Sequence, residues 1–210
     1  MAIRILLAGA TGAVGGHVLR LALADARVGV VVAPTRRPLT AHPKLVNPMP
    51  DFDALPEQAD WLAVDAVICA LGTTIKAAGS QAAFAAVDRD LPIALAARAK
   101  RCGARVFALN SSLGASHKGS FYQRTKAEAE DGIRAVGFDR FVIVRPGLLD
   151  TERATPRPLE KVALVISRAL APLLPARYRP VAADAVARCL LEQAMMPGSG
   201  DLIVESDDIR

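Results

Sequence analysis

The first fifteen residues of the chain constrain its fold more than any other segment. Residues 3–8 (IRILLA) form an apolar run interrupted by one arginine, and they lead directly into the segment GATGAVG. A short apolar run that ends in glycine predicts a strand buried on both faces of a parallel sheet. Helical periodicity follows over residues 13–24, so the glycines fall at a strand-to-helix turn.

The glycine spacing in this turn suits a phosphate-binding loop. Gly9 permits a tight turn, Gly12 lets a pyrophosphate approach the backbone, and Gly15 lets the helix pack closely on the sheet. The free N–H groups and the positive dipole end of the helix then face the phosphates. A glycine-rich turn without a ligand is the alternative, but the position between strand and helix favours a binding loop. The predicted cofactor contacts here are Gly9, Thr11, Gly12, Ala13, Val14 and Gly15.

Strand-like and helix-like segments then alternate along the chain. The predicted strands are residues 28–33, 44–46, 66–70, 105–109, 141–144 and 201–204, and the predicted helices are residues 81–101 (interrupted near Pro92), 121–136, 159–170 and 182–195. This order predicts an α/β fold, a doubly wound parallel Rossmann sheet flanked by helices, with a small C-terminal helical extension. We expect one NAD(P)-binding domain over residues 1–210, with its core in about 1–150 and a small substrate or lid region in about 151–200.

Composition limits the partners and the location. The net charge is +5, but the basic residues form no run and no nucleic-acid-binding motif, so we predict no nucleic acid partner. No run of eighteen apolar residues is present, which predicts no membrane span. The three cysteines are far apart, without a CxxC pair or a signal segment. They predict reduced thiols, a cytoplasmic location and no metal site.

Two arginines follow the second predicted strand, in the sequence APTRR (residues 33–37). An Asp or Glu at this point usually binds the ribose 2′-hydroxyl of NAD, and this chain has neither. Guanidinium groups instead donate charge-assisted hydrogen bonds to a phosphate. Arg36 and Arg37 therefore favour NADP over NAD, with solvated loop charges as the alternative.

Two further segments are candidates for cofactor contact. Asp51, followed by Phe52, is placed to border an adenine, and it is equally suited to a turn or cap. The strand end ALGTT (residues 70–74) reaches the crevice beside the first loop, where Leu71, Gly72 and Thr73 would approach the cofactor. A plain strand-to-loop turn is the alternative for that segment.

Hydroxyl groups and a lysine gather after the predicted strand 105–109. Ser111 and Ser112 emerge at the carboxyl edge of the sheet, where open α/β folds bind their ligands. Tyr122 and Lys126 follow at i and i+4 of a predicted helix, which places them on one face, one turn apart.

These segments together resemble the short-chain dehydrogenases, whose signature is a serine and a YxxxK helix behind an N-terminal glycine loop. GATGAVG resembles the extended and atypical branch. AVDRD (residues 86–90), NSSLGA (110–115), Tyr122 with Lys126, and FDRFVIVRPGLL (138–149) look together like the small oxidoreductases related to the Tat-interacting protein. The resemblance covers roughly residues 3–150.

The resemblance implies a role for each matching residue. Tyr122 would be the general acid or base on a substrate carbonyl or hydroxyl. A tyrosine phenol ordinarily ionises only near pH 10, and Lys126 with an oxidised nicotinamide would favour its anion. Lys126 would also hold the nicotinamide ribose, and Ser112 rather than Ser111 would contact the substrate oxygen. Pro146, Gly147 and Leu148 would lie beside the nicotinamide, or simply form a strand exit.

The chain also departs from the wider family. The interval from Ser112 to Tyr122 is short. It contains His117, either a second proton carrier or a solvated side chain. Asp88 stands where asparagine is frequent, and it either holds backbone near the site or is a surface acid. About sixty residues follow Gly147, so the pocket must be small or shared with another subunit, which leaves a homo-oligomer open.

The function expected from the sequence is an NADP-dependent oxidoreductase, related to the epimerases and dehydratases, that acts on a small carbonyl or hydroxyl compound. The alternative is an NADPH-binding redox sensor or scaffold protein without turnover.

Overall fold

A seven-stranded parallel sheet forms the centre of the protein. The structure is a computed structural model that describes residues 2–150 and 175–209. The strands are β1 Ile3–Ala8, β2 Val28–Val32, β3 Leu45–Val46, β4 Ala66–Cys69, β5 Val106–Asn110, β6 Arg140–Arg145, β7 Leu149–Asp150, β8 Val181–Ala182 and β9 Gly200–Glu205. The main sheet has the order β3-β2-β1-β4-β5-β6-β9, with every pair parallel, and β7 and β8 form a separate parallel pair. The predicted doubly wound fold is confirmed.

Helices cover both faces of this sheet. They are α1 Ala13–Ala24, α2 Ile75–Ala78, α3 Gln81–Ala85, α4 Leu91–Arg101, α5 Phe121–Val136 and α6 Ala183–Met195. Short 3₁₀ turns occupy Asp60–Leu62, Ala176–Tyr178 and Ser206–Asp208. Helices α1 and α6 pack on one face, and α4 and α5 pack on the other.

The alternation of side chains along each strand divides the core into two halves. In β1, Ile5 and Leu7 face α1 and α6, whereas Leu6 and Ala8 face the other layer. Every residue of β4 is buried, as expected for a central parallel strand. The central strands are therefore buried on both faces, and their carboxyl ends lie at one edge of the sheet.

The helix predicted over residues 81–101 contains a π-helical turn at Ala86–Asp90, directly before Pro92. Proline has no N–H for the carbonyl four residues earlier, so the regular helical pattern is interrupted at this point. The predicted interruption near Pro92 is confirmed, and the π turn contains the buried Asp88.

The described C-terminal segment adds to the core. Strand β9 pairs with β6 over six residues, and α6 packs against α1 and covers β4, β5 and β6. The helix predicted over residues 159–170 lies outside the described residues. Among the described helices, none is both long and apolar enough to cross a bilayer.

Candidate active site

The loops that follow the central strands meet at the carboxyl edge of the sheet. A Cβ on Gly9 would lie 2.6 Å from the carbonyl carbon of Ala70, so the turns after β1 and β4 are in direct contact. The loops after β5 and β6 are joined by a hydrogen bond of 2.9 Å from Leu113 N to the Pro146 oxygen. The sequence segments singled out above therefore converge on one edge.

Packing within the protein accounts for two of the three loop glycines. Gly9 has a φ of +87°, and a Cβ on Gly15 would lie 2.0 Å from the Gly9 oxygen. Gly12 begins α1, where no side chain caps the helix, and Thr11, Gly12 and Ala13 are exposed. The N–H groups of the first helical turn need partners from outside the helix, and a pyrophosphate fits this requirement.

Arg36 and Arg37 lie exposed on the loop after β2. Among the residues that the structure describes, neither guanidinium makes a hydrogen bond or ion pair. Most other arginines are neutralised, for example Arg134 by Asp131 and Asp201. The loop after β2 therefore presents two positive charges, unpaired among the described residues, at the carboxyl edge of the sheet.

Asp51 lies in a turn, where its carboxylate accepts a hydrogen bond of 2.9 Å from the backbone N–H of Asp53. Its side chain is exposed, and the neighbouring Phe52 packs against the core beneath α4. This geometry matches the turn interpretation of Asp51. The adenine contact stays a prediction.

Lys126 is held by a buried ion pair. Its Nζ lies 2.7 Å from an oxygen of Asp88, and both side chains are nearly inaccessible. The second oxygen of Asp88 accepts a hydrogen bond of 2.9 Å from the backbone N–H of Thr73. Asp88 is therefore not a surface acid, because it joins the loop after β4 to α5. A Cβ on Gly72 would lie 4.0 Å from Lys126 Nζ, so this lysine and the β4 loop are neighbours.

Tyr122 is fixed in the first turn of α5. Ser120 and Gln123 form a capping box that sets where this helix begins. The Tyr122 ring is half-buried, with its centroid 5.9 Å from Lys126 Nζ and 5.5 Å from the ring of Phe84. The tyrosine and lysine therefore share one helix face, as their spacing predicts.

The two serines after β5 have different environments. Ser111 is buried, and its hydroxyl donates a 2.5 Å hydrogen bond to Glu130. Glu130 is itself buried and pairs with Arg145 at 2.5 Å. Ser112 is half-buried, and its hydroxyl makes one long contact of 3.4 Å, to the Leu113 carbonyl. Ser112 therefore has the freer hydroxyl of the two.

The segment after β6 is partly occupied by internal hydrogen bonds. Gly147 N donates to the Ser206 hydroxyl at 3.0 Å, and the Leu148 oxygen accepts from Val181 N at 2.9 Å. The Leu148 side chain is 59% exposed. The N–H of Gly147 is therefore already used within the protein, which leaves the Leu148 side chain as the accessible part of this segment.

His117 pairs with an acid of α5 rather than with Tyr122 or Lys126. It is exposed and contacts Asp131 of α5 at 2.7 Å. A cavity of about 320 Å³ lies beside it, lined by residues 115–118, part of α5 and Arg145. Arg134, Arg145 and His117 are paired with acids there, whereas the ammonium of Lys118, which also lines the cavity, has no acid partner among the described residues.

Two side chains that organise the edge are absent from the sequence-based predictions. They are Glu130, which binds Arg145, and Asn47. Glu130 lies one turn after Lys126 and shares the buried face of α5 with Ala127 and Ile133, and this helical spacing could have indicated its burial. Asn47 directly follows β3, and this position at a strand end could have indicated that its side chain lies near the site.

Comparison with known proteins agrees with this geometry. A family model described as NAD(P)H-binding matches residues 9–197. The chain is 35% identical over 175 residues to "Protein fmp52, mitochondrial" of Emericella nidulans, covering 79% of this chain and 75% of the relative. It is 33% identical over 204 residues to "Protein HTATIP2" of Rattus norvegicus, covering 94% and 84%.

Solved structures show the same fold. MoeE5 in complex with UDP-glucuronic acid and NAD has a TM-score of 0.71 at 19% identity, covering 95% of this chain and 75% of that one. The Bordetella bronchiseptica enzyme WbmH in complex with NAD+ has a TM-score of 0.70 at 17% identity, covering 98% and 76%. Both are NAD-bound Rossmann folds.

The names of the relatives correct one prediction. The expected cytoplasmic location is wrong, because the fmp52 relatives from Emericella nidulans, Aspergillus niger and Candida albicans are named mitochondrial proteins. Free cysteines, which this chain has at Cys69, Cys102 and Cys189, show that no disulfide is formed. They do not distinguish one reducing compartment from another.

Proposed function

We propose that this chain, which belongs to the NAD(P)H-binding family, is an NADP-dependent oxidoreductase of the short-chain dehydrogenase type that acts on a small carbonyl or hydroxyl compound. The observation that carries the proposal is the placement of Tyr122 and Lys126 on one face of α5, with Lys126 beside Gly72 at the ligand-binding edge. We treat residues 1–210 as one domain, since β9 belongs to the same sheet as β1.

The cofactor would lie along the carboxyl edge of the sheet. The turn Gly9–Gly15, with its uncapped helix start, would hold the pyrophosphate. Asp51 would border the adenine, and the loops around Gly72 and Gly147 would border the nicotinamide. When bound, the nicotinamide supplies or accepts the hydride, and the protein orients it. The remaining proposed contacts are Thr11, Ala13, Val14, Leu71, Thr73, Pro146 and Leu148.

The preference for NADP rests on charge. A 2′-phosphate needs positive donors, and Arg36 and Arg37 are exposed and unpaired among the described residues. A ribose with a free 2′-hydroxyl would gain little from them, because it carries no charge. No carboxylate stands among residues 33–37 to accept from that hydroxyl.

The chain's own residues would move one proton. Tyr122 would donate its phenolic proton to a substrate carbonyl oxygen during reduction, or remove a proton from a hydroxyl during oxidation. Ser112 would hydrogen-bond the same oxygen, because the Ser111 hydroxyl is committed to Glu130. Lys126, held by Asp88, would place a positive charge one helical turn from the phenol.

The test combines binding and turnover. NADPH and NADH are titrated by fluorescence, and NADPH oxidation is then followed with a panel of small carbonyl compounds. We expect tighter binding of NADPH, and a loss of turnover of at least about a hundredfold in Tyr122→Phe, with the NADPH Kd changed less than about twofold. Tyr178→Phe, which alters the exposed second tyrosine, is the matched control and keeps full turnover.

Each failure has a separate meaning. Equal affinity for NADPH and NADH would remove the argument from Arg36 and Arg37. Normal turnover by Tyr122→Phe would overturn the catalytic assignment. Tight NADPH binding without turnover of any compound in the panel would favour the sensor or scaffold alternative.

A further inference from the structure

We propose that Asn47 is a positioning residue that sets the preference for NADPH over NADH by holding the arginine loop of residues 35–39 in its binding shape. The inference rests on the proposed function, because it concerns the same 2′-phosphate site. It assigns a role to a side chain that lies after β3 and outside the loop that it organises.

Asn47 makes three hydrogen bonds with its side-chain amide. The Nδ2 group donates to the Ala33 oxygen at 2.6 Å and to the Thr35 hydroxyl at 2.8 Å. The Oδ1 atom accepts from Leu39 N at 2.7 Å. The partners fix the orientation of the amide, since a carbonyl oxygen only accepts and a backbone N–H only donates.

Thr35 completes the arrangement. Its side chain is buried, and its hydroxyl accepts from Asn47 while donating its one proton to the Arg37 oxygen at 2.6 Å. The backbone is therefore held on both sides of the arginine pair, at Thr35 before it and at Leu39 after it. The turn between these points carries Arg36 and Arg37.

Main-chain bonds attach this arrangement to the sheet. Ala33 N donates to the Val46 oxygen at 2.9 Å, and Thr35 N donates to the Pro48 oxygen at 3.1 Å. These bonds flank Asn47 on both sides and do not involve its side chain. Loss of the amide should therefore leave the pairing of β2 with β3 intact and release only the loop.

The effect on cofactor choice follows from preorganisation. A loop that must be ordered on binding lowers affinity, because its conformational entropy is lost at that step. A 2′-phosphate would use Arg36 and Arg37 and would incur this loss, whereas the uncharged 2′-hydroxyl of NADH would gain little from them. Removal of Asn47 should weaken NADPH binding and leave NADH binding unchanged.

The experiment measures Kd for both cofactors by fluorescence titration of the full-length protein. We expect Asn47→Ala to raise the NADPH Kd about fivefold to tenfold and to change the NADH Kd less than about twofold. Thr35→Val and Thr35→Ser form a matched pair. The first removes the hydroxyl and should behave like Asn47→Ala, whereas the second keeps the hydroxyl and should retain wild-type selectivity.

A double-mutant cycle separates this inference from the proposal beneath it. The selectivity is the ratio of the NADH Kd to the NADPH Kd. In a protein that carries Arg36→Ala and Arg37→Ala, Asn47→Ala should have no further effect on this ratio. If the arginine variant itself leaves the ratio unchanged, the NADP proposal fails, and with it this inference.

If the arginine variant lowers the ratio but Asn47→Ala does not, only the role of Asn47 is overturned. Equal weakening of NADPH and NADH would also overturn it, since that is the result of general destabilisation. Should Asn47→Ala not fold, the two Thr35 variants decide the question by the same ratio.

Discussion

The ammonium of Lys126 lies 2.7 Å from the carboxylate of Asp88, with 7% and 1% of the two side chains accessible. The pair joins the π-helical turn before α4 to α5, and Asp88 also accepts from the backbone of the β4 loop. One carboxylate thereby fixes the lysine next to the proposed proton donor and the loop that would border the cofactor.

Breaking this pair should lower the stability of the protein strongly. Asp88→Ala leaves a buried ammonium and the Thr73 N–H without their partner, so we expect the free energy of unfolding to fall by about 3–5 kcal/mol. Asp88→Asn should cost less, because its amide oxygen still accepts from Thr73. Urea denaturation provides the measurement.

The exposed acid Asp139, which pairs with Lys100 and Arg105, offers the control. Asp139→Ala should lower the free energy of unfolding far less, since water screens that contact. Comparable decreases in the free energy of unfolding for Asp88→Ala and Asp139→Ala would show that the buried pair contributes no more to stability than an exposed one.

The two serines after β5 should separate stability from turnover. Ser111→Ala removes a buried hydrogen bond to Glu130 and should lower stability by about 1–3 kcal/mol while retaining most of the activity. Ser112→Ala should leave the unfolding midpoint nearly unchanged and lower kcat/KM at least about a hundredfold. Thermal unfolding and initial rates on the same samples give both quantities. If Ser111→Ala lowered kcat/KM and Ser112→Ala lowered stability, Ser111 rather than Ser112 would be the serine that contacts the substrate.

Much of the fold was predictable because its signals are local. Adjacent residues alone predict the strand at residues 3–8, its glycine end and the helix that follows, and all three occur at the expected positions. Helix α5 likewise begins and ends where its capping serine and terminal glycine indicate. The short strands β7 and β8 were not predicted, because they pair only with each other, outside the alternating strand order that predicted β3.

The partners within the site were less predictable, because they are distant in sequence. Nothing in the spacing of Asp88 and Lys126 indicates that they meet, and Asn47 contacts Thr35 only because β2 and β3 are adjacent. Ser111 and Ser112 are equivalent as sequence. Their different burial is evident only once Glu130 is packed beneath β5.

The loop glycines should divide into packing and binding positions. A methyl group on Gly15 would lie 2.0 Å from the Gly9 oxygen, so Gly15→Ala should lower stability by about 3 kcal/mol or more with or without cofactor. Gly12 has a φ of −79°, and its Cβ would lie 3.3 Å from the same oxygen. Gly12→Ala should therefore fold, but bind NADPH at least about tenfold more weakly.

Gly16→Ala is the control for these variants. Its Cβ would meet nothing closer than 3.8 Å, and alanine favours the helix, so we expect a gain of about 0.5–1 kcal/mol. Thermal unfolding with and without NADPH measures all three changes. A stable Gly15→Ala protein would contradict the close approach of α1 to the first turn.

Cys69 should make the stability depend on alkaline pH. Burial raises the pKa of its thiol to about 11 from an ordinary 9.0, and the Leu71 N–H and Lys126 offset this only in part. Below pH 9 the thiol is protonated in both the folded and the unfolded chain, so the buried neutral thiol contributes fully to the free energy of unfolding. Between pH 9 and 11 the unfolded chain loses the proton while the native protein keeps it, and the free energy of unfolding should fall by about 3 kcal/mol.

Cys69→Ser provides the comparison, because serine is similar in size and does not ionise in this range. Other groups that titrate at high pH are common to both proteins, so their effects cancel in the difference. The stability of the wild-type protein relative to Cys69→Ser should be constant up to pH 9 and then decline toward pH 11, as measured by urea denaturation at each pH. Parallel pH profiles would show that the thiol ionises equally in the folded and unfolded chains, contrary to its complete burial at the end of β4.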